Sequence, residues 1–309
     1  MLITQIGLLA VIAMMGGFSP QSDLKAIAYF ATLLAFLSAT QDIVLDAYRR
    51  ELLSDAELGL GSAVHVNAYR VAGLVPGSLS LILADFLPWS TVFIITALFM
   101  VPGILMTLVV TEPHRAAPPK TLREAVVEPF HEFITRNGWR SALLILAFLF
   151  FYKLGDSMAT ALATPFYLDM GFSKTQIGLI AKNAGLWPSV IGGILGGLWM
   201  VKIGINRALW LFGLVQLVTI FGFVWLASMG HHADITSVEL TQLAIVISME
   251  ALGVGLGTVA FVAYIARATH PAYTATQFAL FTSLMAVPRN FANAATGWLV
   301  ETMGWTGFF

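Results

Sequence analysis

The sequence predicts an all-α polytopic membrane protein with about nine transmembrane helices. Of its 309 residues, 58% are hydrophobic and 11% are charged, and the mean hydropathy is +0.83. A soluble domain has about 25% charged residues and about 45–50% apolar ones, because polar groups must cover its surface. This composition therefore excludes a water-soluble globular protein. The net charge of −1 provides no basic field for nucleic acid, and the absence of cysteine excludes disulfides and thiolate metal sites.

A helix that crosses the hydrocarbon core of a bilayer needs about 20 predominantly apolar residues. Nine stretches of the chain meet this requirement, and the first lacks the basic start and the cleavage site of a signal peptide. They are 1–17, 25–48, 62–83, 90–110, 141–166, 174–201, 207–229, 239–266 and 274–300. One long polar connection, 111–140, separates the fourth stretch from the fifth.

Lysine and arginine collect on one side of this predicted topology. If Met1 faces the cytoplasm, only Lys25 and Lys174 lie in connections on the opposite side. The bias follows the positive-inside rule, so it supports both the number of spans and their orientation. The residues on the cytoplasmic side are Arg49, Arg50, Arg115, Lys120, Arg123, Arg136, Arg140, Lys202, Arg207 and Arg267.

The connection 111–140 contains a predicted cytoplasmic helix. Thr121 and Glu124 form a capping box at its start, and Asn137-Gly138 is a typical stop. Between them, apolar residues recur at helical spacing. These residues are Leu122, Val126, Phe130 and Phe133. The pattern fits an amphipathic helix in the membrane interface, and it fits an ordinary solvated linker helix equally well.

The end of the second span carries ionisable residues, which are functional candidates because each costs about 2.5–3.5 kcal/mol to insert at mid-helix. Asp42 and Asp46 are four residues apart on one helix face, and Arg49 and Arg50 can reach back to Asp46. The third span runs the opposite way and brings Arg70 to about the depth of Asp42. We expect either a buried ion pair that sets the helix register or a group that gates or couples transport.

A second charged group is predicted near the membrane midplane. Lys153 and Asp156 lie three residues apart on the fifth span. Lys182 and Asn183 on the antiparallel sixth span are expected at nearly the same depth. Two lysines with one carboxylate leave surplus positive charge, which a structural salt bridge does not need but an anionic ligand would use.

Two further charges, Glu250 and Arg289, have no partner that the sequence reveals. Glu250 is either a protonatable site or a carboxylic acid held neutral by apolar surroundings, and Arg289 follows Pro288, where a bend would expose carbonyls. No histidine has metal spacing, so we expect neither a metal nor another cofactor. The predicted substrate-binding residues are Arg70, Lys153, Lys182, Asn183 and Arg289. The predicted proton-coupling or gating residues are Asp42, Asp46, Asp156 and Glu250.

The segment Ser38 to Leu53, SATQDIVLDAYRRELL, strongly resembles the fourth helix of AmpG-like muropeptide permeases. The segments 59–63, 69–70, 174–178 and 277–280 fit the pattern of the same family, and the resemblance covers nearly the whole chain. It implies the major facilitator fold of two six-helix bundles joined by a cytoplasmic loop.

In that fold, the resemblance implies that 1–110 is the remainder of the N-terminal bundle, with four spans. Residues 111–140 are then the cytoplasmic linker, and 141–309 are the C-terminal bundle with five spans. Two N-terminal helices and the last helix are expected to be missing from the chain.

The resemblance also implies a function: a secondary active transporter that imports anhydro-muropeptides, which are sugar-peptides, for peptidoglycan recycling. It implies proton coupling and a location in the bacterial inner membrane, and we expect a monomer. The alternatives are a carrier of another anionic metabolite, such as an acyl-CoA or a drug, and a truncated remnant that transports nothing. An enzyme would need a nucleophile and base at one depth in the membrane, and the sequence has none.

Overall fold

The computed structural model describes residues 1–110, 121–231 and 235–309, with every side chain in these ranges except Lys182, Pro288, Arg289 and Ala292. Its regular elements are all helices, which confirms the predicted all-α class. In the described ranges, seven helical segments are long and apolar enough to cross a membrane. They are Leu24–Leu52, Leu58–Ala84, Trp89–Val109, Trp139–Asp169, Lys174–Ile203, Ile205–Met229 and Ser237–Ala268. The shorter apolar helix Leu2–Met15 and the helix Thr274–Phe308 cover the other two predicted stretches.

The N-terminal part of the chain contains six helices. They are α1 (Leu2–Met15), α2 (Leu24–Leu52), α3 (Leu58–Ala72), α4 (Ser80–Ala84), α5 (Trp89–Leu98) and α6 (Val101–Val109). A π-helical turn, Val75–Leu79, joins α3 to α4. Pro76 lies in this turn, and its missing N–H group interrupts the regular hydrogen-bond ladder. Helix α1 packs against α2 and α5, which assembles the N-terminal bundle.

The predicted linker helix is present as α7 (Leu122–Asn137). The Thr121 hydroxyl accepts a hydrogen bond of 3.2 Å from the Glu124 backbone N–H, as the capping pattern predicted. The helix ends at Gly138, where a φ of 73° turns the chain directly into the next span. A residue without a Cβ adopts this left-handed conformation at little steric cost.

The C-terminal part begins with a broken span of three helices, α8 (Trp139–Phe151), α9 (Leu154–Ala161) and α10 (Ala163–Asp169). The single helix expected over 141–166 is therefore interrupted. Both Lys153 (φ −100°, ψ 1°) and Leu162 (φ −109°, ψ 17°) depart from helical geometry. Four long helices follow: α11 (Lys174–Ile203), α12 (Ile205–Met229), α13 (Ser237–Ala268) and α14 (Thr274–Phe308).

Helix α13 is the most buried of the candidate spans and lies between α11 and α12. Glycines allow its backbone to approach that of α11 closely: a Cβ on Gly255 would overlap the Ser189 carbonyl oxygen, and one on Gly192 would overlap that of Leu252. Small residues at helix interfaces have this role in membranes, where van der Waals packing drives association. This close packing buries the middle of α13, including Glu250, inside the C-terminal part of the structure.

Helix α3 packs along α11, and in the predicted division of the chain this contact joins the two bundles. A Cβ on Gly59 would lie 2.9 Å from the Met200 Cβ, and one on Gly197 would overlap the Ala63 Cβ. These residues belong to the start of α3 and the end of α11, which both lie on the cytoplasmic side in the predicted orientation. This half of the interface is therefore closed.

Candidate transport site

The centre of the C-terminal bundle contains a buried ion pair beside the broken span. The Lys153 ammonium donates to Asp156 Oδ2 at 2.6 Å and to the Thr258 hydroxyl at 3.1 Å. Only 13% and 14% of the Lys153 and Asp156 side chains are exposed. Lys153 is also the residue at which the helix breaks, so the break directs its ammonium group toward α13. Breaks of this kind are typical of substrate sites in transporters.

The Asp156 carboxylate interacts with a second acid, Glu250. The Glu250 carboxyl group also interacts electrostatically with the Lys153 ammonium. Glu250 lies on α13, is 7% exposed, and has an Oε1 atom without a hydrogen-bond partner in the described structure. The sequence reveals no partner for this residue. The structure places it in the same cluster as Lys153 and Asp156, so the described side chains give one lysine with two carboxyl groups rather than a surplus of lysine.

Arg70 extends this cluster to the N-terminal bundle. Its Nη1 atom donates a 2.6 Å hydrogen bond to the Ser189 carbonyl oxygen on α11, and its charge interacts with that of Asp156. The expected meeting with Asp42 is replaced by these contacts, because α3 presents Arg70 toward α11. Asn67, one turn earlier on α3, is buried against Gly193, and both polar atoms of its amide lack partners.

Of the three remaining predicted binding residues, Asn183 alone has a described side chain. The side chains of Lys182 and Arg289 lie outside the described part of the structure. Asn183 is exposed, and its amide donates to the Leu179 carbonyl oxygen of its own helix at 2.8 Å. The Asn183 amide, which the sequence predicts to contact substrate, thus donates to the backbone of its own helix.

A second charged group lies at the C-terminal end of α2. Arg49 pairs with Asp46 at 2.9 Å, as the sequence predicted, and His65 on α3 lies 3.8 Å from the same carboxylate. Arg50 turns away from Asp46 and pairs with Asp55 at 3.0 Å. Asp42 is exposed one turn away from Asp46. This group is thus separate from the one around Lys153.

The arginines and Glu51 at this end also connect the bundles. The Arg49 guanidinium lies 5.5 Å from the ring centroid of Phe278, a favourable cation–π distance. The Arg50 Nε atom donates to the Thr269 carbonyl oxygen at 3.4 Å. The Thr274 hydroxyl donates to Glu51 at 2.6 Å. Together these contacts fasten α2 to the turn between α13 and α14.

Sequence reasoning missed two residues that position the site. Tyr152 stacks on Phe261 with ring centroids 5.0 Å apart, and its hydroxyl donates to the Leu209 carbonyl oxygen at 3.2 Å. It therefore holds the chain directly before the break at Lys153. Thr258 supplies the second acceptor for Lys153, and its only sequence signal is its position two helical turns beyond Glu250.

The cluster is suited to exchange of Asp156 for another anion at the Lys153 ammonium. Desolvating an ion pair in the membrane interior costs several kcal/mol per ion, and the attraction between the partners offsets this only when both are present. An anionic ligand could replace Asp156 at the Lys153 ammonium. The displaced carboxylate would then face Glu250, a second buried acid.

Comparison with known families gives a match over most of the chain. The sequence profile described as Major Facilitator Superfamily matches residues 1–292.

Individual relatives extend this similarity to the full chain. A protein of Haemophilus influenzae named only as uncharacterized is 53% identical over the whole chain, which corresponds to 73% of that relative. The anhydromuropeptide permease of Escherichia coli K12 is 39% identical over the whole chain. A protein of Rickettsia felis named putative transporter AmpG 4 is 33% identical over 97% of the chain and 72% of its own length. The chain spans 62% of the length of the E. coli permease.

Proposed function

Because the chain belongs to the major facilitator superfamily of transporters, we propose that it imports anhydro-muropeptides together with protons across the bacterial inner membrane. The substrate is suggested by the printed name of the E. coli relative, which is 39% identical over the whole chain. The proposal makes the protein a secondary transporter for peptidoglycan recycling. A monomer would suffice, since Arg70, Asp156 and Glu250 of one chain already form one cluster.

The observation that carries this proposal is the buried Lys153–Asp156 pair at the helix break. An ionised side chain within a membrane span is costly and generally serves a substrate or ion pathway. The peptide part of a muropeptide carries carboxylates, and Lys153 offers an ammonium group whose present partner is exchangeable. Arg70 is the second described cation near this position, and Lys182 and Arg289 are further candidates.

Coupling would follow from competition for Lys153. A substrate carboxylate that binds the ammonium displaces Asp156, which then shares one proton with Glu250. When the site faces the cytoplasm and the proton leaves, Asp156 returns to Lys153 and expels the substrate. Substrate and proton thus each favour binding of the other, as a coupling free energy between two sites requires.

The group at the cytoplasmic end of α2 would act as a gate. Asp46 holds Arg49 against Phe278 while the cytoplasmic side is closed. Asp42, one turn deeper, would bind Arg49 or a proton when that contact opens. This assignment gives Asp42 and Asp46 the gating role that the sequence suggested and keeps them apart from substrate binding.

The test is uptake of labelled anhydro-muropeptide by proteoliposomes that contain the chain, with an inward proton gradient. We expect accumulation with the unaltered protein and its loss in Lys153→Ala. Lys202→Ala is the matched control, because Lys202 is exposed at the cytoplasmic end of α11 and should leave uptake unchanged.

Other outcomes would redirect the proposal. Normal uptake by Lys153→Ala would remove the lysine from the mechanism. Efflux of a drug or an acyl-CoA driven by the same gradient, without muropeptide uptake, would favour an exporter. A correctly inserted protein that neither transports nor is stabilised by any of these ligands would be a non-transporting remnant.

A further inference from the structure

Helix α7 lies across the cytoplasmic ends of the C-terminal bundle. Near its start, the Ala125 carbonyl oxygen accepts a 2.7 Å hydrogen bond from the Thr276 hydroxyl. Near its end, Arg136 donates to the Ala268 carbonyl oxygen at 2.9 Å. These two positions are about 16 Å apart along the helix. Ala268 is the last residue of α13 and Thr276 is close to the first residue of α14, so both contact points lie at the same end of these helices. Helix α7 therefore runs across this end of the bundle rather than along the membrane normal.

One face of α7 is fixed to the protein by buried contacts. Phe133 is 2% exposed and forms an edge-on ring contact with Phe281, with centroids 5.1 Å apart. The Gln277 amide on α14 donates to the Pro129 carbonyl oxygen at 2.9 Å and to Glu132 at 2.6 Å. These contacts fix the rotation of α7 about its axis, and they therefore determine what its other faces meet.

An adjacent face of α7 is apolar and uncovered in the described structure. We call it the apolar stripe, and it consists of Leu122, Val126, Phe130 and Ile134, which follow one another at intervals of four residues. The exposed fractions of these side chains range from 41% at Phe130 to 84% at Leu122. Arg123 lies beside this stripe, with its side chain 80% exposed and its Nε atom 3.8 Å from Glu128, whereas Glu124, Glu128 and His131 lie on a different face of the helix.

The apolar stripe continues into the lipid-facing surface of the next span. Only Gly138 separates α7 from α8, whose exposed residues include Trp139, Leu143 and Leu144. The Arg140 guanidinium lies 5.4 Å from the Trp139 ring, and both residue types favour the headgroup level of a bilayer. The C-terminus of α7 is therefore at the cytoplasmic membrane surface, where anionic headgroups complement Arg140.

We infer that the apolar stripe of α7 inserts into the cytoplasmic leaflet and anchors the C-terminal bundle to the membrane surface. The ligand is a lipid surface with anionic headgroups, which the apolar side chains of the stripe contact while Glu128 and His131 lie on another face of α7. Amphipathic helices bind in this manner at the boundary between headgroups and acyl chains. The role is independent of the transported substrate.

The experiment uses the absence of cysteine in the chain, because an introduced cysteine can be labelled alone. Phe130→Cys and His131→Cys each carry a nitroxide label in vesicles of phosphatidylcholine and phosphatidylglycerol. Collision with oxygen reports hydrocarbon, and collision with a water-soluble nickel complex reports solvent. We expect the label at 130 to favour oxygen, as a label at Leu144→Cys does, and the label at 131 to favour nickel.

Equal access of the nickel complex to positions 130 and 131 would overturn the inference, because α7 would then be a solvated linker. Shielding of position 130 from both reagents would overturn it as well, since a second copy or another protein segment would cover the stripe. Val126→Cys provides a second position on the stripe if Phe130→Cys impairs folding.

Discussion

The Arg70 guanidinium of α3 donates a 2.6 Å hydrogen bond to the Ser189 carbonyl oxygen of α11, so a charged side chain of one bundle is bound to the backbone of the other. Between this bond and the cytoplasm, α3 and α11 pack through glycines at Gly59, Gly193 and Gly197. The two helices therefore form a continuous seam from the cytoplasmic end to Arg70. The proposed transport toward the cytoplasm requires this seam to open.

Cross-linking the seam should stop transport. In Gly59→Cys/Met200→Cys, the Cβ atoms would lie 2.9 Å apart, and a disulfide with its usual Cβ separation of about 3.5–4.5 Å needs only a small shift of the helices. Oxidation should link the bundles and abolish uptake, and reduction should restore it. Uptake is measured before and after each treatment in vesicles. Each single-cysteine variant is the control, and a linked protein that still transports would mean that this seam does not open.

Enlarging a residue in the seam should favour the form in which the seam is open. In Gly197→Leu, the new side chain overlaps Ala63, so the closed arrangement is overpacked and should lose about 1–3 kcal/mol. Such a loss shifts the balance toward the form open to the cytoplasm by about 5- to 150-fold. The measurement is the rate at which a maleimide labels Asn67→Cys, since Asn67 is buried in the seam.

The matched control for this substitution is Gly178→Leu on the same helix. A Cβ at Gly178 would have open space around it, so the labelling rate of Asn67→Cys should stay unchanged. Equal labelling in the two glycine variants would show that the α3–α11 contact does not set the balance.

The fold was predictable because membrane insertion depends on the length and hydrophobicity of segments, which can be read directly from the sequence. Long apolar stretches suffice to locate the spans, and the placement of lysine and arginine predicts their orientation. The capping box at Thr121 likewise acts over a few residues, and the structure contains the helix that it predicts. The break at Lys153 was not predicted, because 141–166 is long and mostly apolar, and a charged pair at Lys153 and Asp156 is equally compatible with one continuous helix.

The candidate site was predictable as a set of charges but not as a set of pairs. The rise per residue gave Arg70 and Asp42 similar depths, but depth along the membrane normal contains no information on helix rotation. Rotation turned Arg70 toward Ser189 instead. Glu250 had no visible partner for a similar reason, since its approach to Asp156 depends on how α9 packs beside α13.

Glu250→Gln should separate substrate movement from the proton gradient. The amide keeps the size of the side chain but carries no exchangeable acidic proton, so Asp156 loses the carboxyl with which it would share one. One proton per substrate and a gradient of one pH unit correspond to about tenfold accumulation. We expect accumulation in proteoliposomes to fall from about tenfold to equilibration, while exchange of labelled for unlabelled substrate continues. Normal accumulation would assign the proton to another group, and loss of exchange as well would indicate a binding role for Glu250.

Docking of α7 should depend strongly on Phe133 and weakly on Phe130, although both are phenylalanines on the same helix. Phe133 is 2% exposed and contacts Phe281, whereas Phe130 is 41% exposed and lies on the apolar stripe. Truncating a buried phenylalanine to alanine costs about 3–5 kcal/mol, because apolar contacts are lost and a cavity is left. Phe133→Ala should therefore lower the free energy of unfolding in detergent micelles by a few kcal/mol and expose α7 to protease.

Phe130→Ala should leave both measurements nearly unchanged, because in micelles its ring contacts detergent rather than the protein core. Equal losses in the two variants would mean that α7 is held through both faces, and the docked orientation on α14 would then be wrong.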